Sequence, residues 1–243
     1  MKNIMIKLLF VVCCLCSQNI LAQNLRFYDS RQLTCNLFTS ICQDTEGYIW
    51  VGTEYGLNRF NGIQFAHYYN VPEDSASLLH NSVRCLMLDR GGVLWVGFVN
   101  GLQYYCPDGN TFCTIQFEND VAPHIVGIVQ LKSGEIWVTT SGYGVCRVDV
   151  AQKKAYRITD IPHLTDFHYF GYLYEDSEGV QWFGIYNTGL LQYNPATGKS
   201  KLHTRNELSG GSVISAILED NQANLLVATS TTVFRFDRQT DSF

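Results

Sequence analysis

A five-fold internal repeat constrains this chain more than any other feature. Its copies read Tyr48-Ile49-Trp50-Val51-Gly52, Val93-Leu94-Trp95-Val96-Gly97, Glu135-Ile136-Trp137-Val138-Thr139, Val180-Gln181-Trp182-Phe183-Gly184 and Asn224-Leu225-Leu226-Val227-Ala228. The central anchors are Trp50, Trp95, Trp137, Trp182 and Leu226, which stand 45, 42, 45 and 44 residues apart. A period of this length marks supersecondary units that bury their apolar faces only against neighbouring copies.

Six residues before the anchor stand Asp44, Asp89, Asp176 and Asp220, with Leu131 as the exception, and three before it Gly47, Gly92, Gly134 and Gly179, with Ala223 as the exception. Asp at the first turn position accepts bonds from backbone N–H groups further on, and Gly at the fourth adopts backbone angles that branched residues resist. Each Asp-x-x-Gly therefore joins two antiparallel strands. A calcium loop fails on spacing, because it needs oxygen ligands at alternate positions and a distal Glu.

Before each turn lies a strand such as Val83-Arg84-Cys85-Leu86-Met87-Leu88. After each anchor come a small residue, a short loop and a third strand, as in Gly56-Leu57-Asn58-Arg59-Phe60, and then a more polar fourth. The anchor strands are apolar on successive residues, which fits a sheet covered on both faces. Gly52, Gly97, Thr139, Gly184 and Ala228 are then small because sheets crowd toward a central channel. The fold class is all-β: a β-propeller of five four-stranded blades. The segment Leu25-Arg26-Phe27-Tyr28 is predicted as a strand ahead of the first full blade.

The first 22 residues have a composition of their own, with Lys2 and Lys7 ahead of an apolar run that ends at Cys16 and Ala22 at the cleavage position. This predicts a signal peptide over 1–22, export to the periplasm and a propeller domain over 23–243, since the run is shorter than the roughly 20 residues that span a bilayer. No second apolar stretch follows, so the mature chain is expected to carry no membrane span. A net charge of −5 gives no electrostatic reason to bind phosphate backbones, which excludes nucleic acid as a partner. Six cysteines remain after the leader, without a Cys-x-x-Cys, and read as small buried hydrophobes. A bridge between Cys106 and Cys113 is expected to be out of register, because the four-residue turn between them pairs 106 with 111.

The segment from Ser40 to Gly62, with Asp44, Gly47, Trp50, Gly52, Gly56 and Leu57 at its fixed positions, resembles the two-component regulator propeller repeat, and so does the lead-in Asp74-Ser75-Ala76-Ser77-Leu78-Leu79-His80-Asn81-Ser82-Val83. The resemblance is strongest in repeats one, two and four. It implies the periplasmic sensor region of a hybrid two-component receptor, responsive to an oligosaccharide and homodimeric in its full-length form, with the kinase and DNA-binding parts outside this chain. It also implies more than five blades, so that these five form an open arc, and an N-terminal piece of a sensor whose fifth blade stops short of its outer strand. The alternatives are a propeller lyase similar to streptogramin lyases, or a truncated product without a function of its own.

The loops joining second to third strands carry Tyr55, Phe98, Tyr143 and Tyr186, with Glu54, Asn100 and Asn187 beside them. Aromatic faces next to amide groups suit sugar rings, which makes Tyr55, Phe98, Asn100, Tyr143, Tyr186 and Asn187 the candidate ligand contacts. His67, His80, His124, His163, His168 and His203 fall on outer strands or inter-blade connections at positions that do not repeat, and read as solvated. No catalytic residue, metal or cofactor is expected.

Overall fold

The turns organise everything else. In the computed structural model, which describes residues 32–208 and 213–243, one carboxylate oxygen of Asp44 accepts from the backbone N–H groups of Glu46 and Tyr48 at 3.0 and 2.9 Å, while the other accepts the Trp50 indole N–H at 2.7 Å. Asp89 holds Trp95 and Asp176 holds Trp182 in the same way, both at 2.9 Å. The Asp therefore does two jobs, fixing the turn and capping the buried anchor, and only the first was legible in the sequence. Gly47, Gly92, Gly134 and Gly179 all have positive φ, between 81° and 97°, as the turn requires.

Each turn opens a meander of antiparallel strands. Blade one comprises β1 (Phe38–Gln43), β2 (Ile49–Thr53), β3 (Gly56–Phe60) and β4 (Phe65–Tyr68). Blade two comprises β5 (Val83–Leu88), β6 (Leu94–Phe98), β7 (Gly101–Cys106) and β8 (Thr111–Phe117). Blade three is β9 (His124–Gln130), β10 (Ile136–Ser141), β11 (Val145–Asp149) and β12 (Lys154–Arg157), and blade four is β13 (Phe170–Glu175), β14 (Gln181–Ile185), β15 (Gly189–Asn194) and β16 (Lys199–Thr204). Blade five has β17 (Ile214–Glu219), β18 (Leu225–Thr229) and β19 (Val233–Arg235), followed by a bridge between Asp237 and Ser242. The predicted signal peptide and the strand predicted at 25–28 lie outside the described residues.

Successive innermost strands lie side by side, β1 on β5, β5 on β9, β9 on β13 and β13 on β17. The small residues sit where this crowding is greatest: a Cβ on Gly52 would stand 2.7 Å from Val83 of the next blade, and one on Gly97 would stand 2.8 Å from Ile125. Thr139 turns the same closeness into a bond, donating its hydroxyl to the Gly171 carbonyl at 2.6 Å. Trp50, Trp95 and Trp182 are at most 1% exposed, each within an apolar layer shared by adjacent blades. Burial on this scale supplies most of the stability of the described residues, which form no α-helix.

Among the described residues the blades form an open arc. Among the described residues no sheet lies against the outer face of blade one, where Phe38 and Ile41 are 56% and 69% exposed beside a cleft of about 680 Å3. At the other end Leu218 and Val233 are exposed.

A polar clasp repeats between blades at their turn ends. The backbone N–H of Arg90 donates to Gln130 at 2.8 Å, that of Lys132 to Glu175, and that of Ser177 to Glu219 at 2.6 Å. In each case the residue after the turn Asp, or after Leu131, reaches the last residue of the next blade's innermost strand. Gln43 occupies the receiving position on blade one, with its amide N–H held by the Gly47 carbonyl at 3.2 Å, as that of Gln130 is held by Gly134.

Cys106 and Cys113 are disulfide-bonded, which corrects the expectation from register. Cys106 does pair with Thr111, and Cys113 lies opposite Tyr104. Residue 106 stands two places from 104 on the same face, so the bridge is a diagonal across the hairpin, with the Cα atoms 6.4 Å apart. Cys42, Cys85 and Cys146 are thiols, and burial pushes those of Cys85 and Cys146 up to about 12.

Candidate functional site

All five innermost strands break register at the same level, near the end opposite the turns. Phe38 pairs with Thr53 and Ser40 with Gly52, leaving Thr39 extra; in the same way Arg84, Val126 and Ser215 are extra in their strands, and Gly171 with Tyr172 in the fourth. A bulge bends its strand and re-aims the side chain it carries. Here Thr39, Arg84, Val126 and Tyr172 line one cleft of about 330 Å3 at the mouth of the central channel. Tyr172 and Val126 also line an adjoining cleft of about 310 Å3 across blades three to five, with Tyr169 and Tyr186. These three tyrosines are 50–58% exposed.

The polar side of the mouth is built on Glu54. One of its carboxylate oxygens accepts from the Arg84 guanidinium at 2.5 Å and the other from the Ser82 hydroxyl at 2.6 Å. His124, at the start of β9, is held below its usual value by burial and by the Arg84 charge, against the opposing pull of Glu54, so the imidazole is neutral at pH 7. The mouth thus joins aromatic faces to an ion pair whose charges cancel.

The residues expected from sequence scatter around this site. Tyr186 lines the aromatic cleft, and Asn187 follows it at φ 57° on an exposed turn. Tyr55 is exposed on blade one against Tyr69, with ring centroids 6.2 Å apart. Tyr143 is half-buried against the layer between blades two and three, its hydroxyl donating to the Glu118 carbonyl at 3.3 Å. Asn100 is half-buried, and its side-chain oxygen has no partner among the described residues. Phe98 is a correction: it is fully buried and ends β6 rather than standing in a loop. It lies three residues beyond its tryptophan, the position of Thr53, Thr140, Ile185 and Thr229, all of them buried.

Two histidines also differ from the solvated reading. His203 is buried, bonded to Gln192 at 3.0 Å and stacked on Trp182, and His124 lies on an innermost strand. The others hold separate local contacts, His67 with Asn58, His80 with the backbone N–H of Ser82, His163 with Asp166 and His168 with Arg157.

The two-component regulator propeller family matches residues 32–55 and 77–100, the first and second repeats. No curated protein matches the chain. Among solved structures it is similar to two extracellular domains from B. thetaiotaomicron described as belonging to hybrid two-component systems. Their TM-scores are 0.78 and 0.75, their identities 24% and 22%, and each covers 90% of this chain. The chain spans only 31% and 32% of their lengths. Virginiamycin B lyase from Staphylococcus aureus is similar at a TM-score of 0.60 and 18% identity, over 83% of this chain and 67% of the lyase. At these identities the likenesses establish the propeller fold.

Proposed function

From the premise that this chain carries two-component regulator propeller repeats, we propose that it is an extracellular ligand-sensing portion of a hybrid two-component receptor, exported to the periplasm by residues 1–22. Its ligand is a saccharide held at the mouth of the channel, and it performs no catalytic step; the kinase reaction and the homodimer belong to the full-length receptor. The observation that carries this reading is the aligned set of bulges, which turns strand residues toward one mouth and sets Tyr172 between the tyrosine cleft and the Arg84–Glu54 pair. Sugar rings lay their C–H faces on aromatic rings and exchange hydrogen bonds with fixed polar groups. A lyase needs histidines converging on a metal or substrate. The dispersed contacts of the histidines favour a binding role instead.

Calorimetric titration of oligosaccharides into the purified chain tests this. Tyr172→Ala and Tyr186→Ala should each weaken binding at least tenfold while leaving the melting temperature close to wild type, because both rings are largely exposed. Affinities equal to wild type, or binding lost only together with folding, would refute it. Tyr55→Ala serves as a second probe of how far the ligand reaches around the mouth.

A further inference from the structure

Blade three departs from the repeat at the turn, with Leu131 in place of the Asp, and blade four departs at the residue before its tryptophan, with Gln181 where Ile49, Leu94, Ile136 and Leu225 stand elsewhere. Both departures leave a buried polar atom without a partner. The Trp137 indole N–H has no acceptor, and the Gln181 side-chain oxygen has no donor, among the described residues. The two side chains are 7% and 5% exposed. They line the same cleft, about 400 Å3, between blades three and four.

Such groups cost about 1–3 kcal/mol each when left unsatisfied, so native proteins rarely keep them without a purpose. A space of this size exceeds the roughly 30 Å3 that one water occupies and falls in the range of about 300–1,000 Å3 typical of small-molecule sites. Tyr156 and Tyr193 contribute ring surface to the lining. The charges on the lining cancel, Glu135 and Asp160 against Arg147 and Arg157, with Glu135 and Arg147 paired at 3.4 Å. A charged ligand therefore meets no unbalanced opposite charge.

We propose that this inter-blade cleft is a second binding site, for a small uncharged ring-bearing molecule whose hydroxyl or amide groups accept from Trp137 and donate to Gln181. It is distinct from the channel mouth and does not depend on the function proposed for it. Gln181 is the specificity-determining residue, since leucine in its place restores the pattern of the other blades and removes the acceptor.

The test is a titration of the full-length 15N-labelled chain with N-acetylglucosamine, which carries both groups, observed at the tryptophan indole N–H resonances. Trp50, Trp95 and Trp182 already donate to aspartates and serve as internal controls. The expected result is a saturable shift confined to Trp137, weakened at least tenfold by Gln181→Leu with an unchanged or raised melting temperature, and retained in Tyr172→Ala. Absence of a saturable shift overturns the proposal and assigns the cleft to solvent. A shift that survives Gln181→Leu undiminished, or one shared by all four indoles, overturns it as well.

Discussion

Blades three and four fold the same turn with opposite means. In blade four the Asp176 N–H meets the Val180 carbonyl at 2.9 Å and the Gly179 N–H meets the Asp176 carbonyl at 3.0 Å; in blade three Leu131, Glu135 and Gly134 make the same two bonds at 2.9 Å each. The backbone does not need the carboxylate. What changes is the interior: Asp176 is fully buried, holding Trp182 and taking an ion pair from Arg238 at 3.0 Å, whereas Leu131 packs in an apolar cluster with Trp137 and Phe183. Burying an ion pair carries a desolvation penalty that apolar packing avoids. Blade five is the reverse case, keeping Asp220 but not the tryptophan, and there the Asn224 amide donates to the spare oxygen at 2.8 Å. The polar cap of the anchor is therefore replaceable, while the burial of a large side chain beneath the turn recurs in every blade that has a tryptophan.

Asp176→Ala should separate the two blades most. It strips the acceptor from Trp182 and one partner from Arg238, and should cost about 3–5 kcal/mol in denaturant unfolding. A loss below about 1 kcal/mol would mean that blade four, like blade three, does not depend on its cap. A smaller effect separates the tryptophans. Trp182→Phe and Trp137→Phe remove similar volumes, but only the first takes from a buried carboxylate oxygen one of its two donors, Arg238 remaining, so it should be worse by about 0.5–1.5 kcal/mol. Equal losses would show that the indole bond contributes nothing.

The smallest effect is one of pH. Burial, with Lys201 adding to it, lowers the pKa of His203 from 6.5, while Ile158 holds the matching place in blade three. The unfolded chain then binds the proton first, so stability is full above about pH 6.5 and is lost as pH falls from there toward the depressed folded value. Amide exchange in β15 and β16 should accelerate on acidification relative to β11 and β12, after correction for intrinsic rates, and His203→Gln should abolish the difference. Parallel behaviour of the two blades would refute it.

How much of this could be read in advance depended on whether the signal repeats in residue identity. Asp44, Trp50 and Gly52 recur as letters, and the turn, the anchor and the crowded channel wall followed from them. The bulges recur as geometry only: Thr39, Arg84, Val126, Tyr172 and Ser215 share no chemistry, so no letter of the repeat marks Tyr172 or Arg84 as it marks the loop aromatics. Gly97 reads in the sequence as the end of its strand, which puts Phe98 in the loop, whereas Phe98 still pairs with Val83. The Cys106–Cys113 bridge escapes a register argument, which describes opposite neighbours and not diagonal ones.

The clasp gives the arc a direction. Blades two, three and four each offer a turn N–H forward to an acceptor on the next blade, whereas Leu88 holds the receiving place on blade two; the two ends are unlike, since Gln43 presents an acceptor at the first and the backbone N–H of Asn221 holds the donor place at the last. Direction of this kind acts as an assembly rule. A sheet docking on blade one in register brings a donor, one docking on blade five brings an acceptor, and a sheet turned end for end sets like against like, so apolar surface alone does not license addition at either edge.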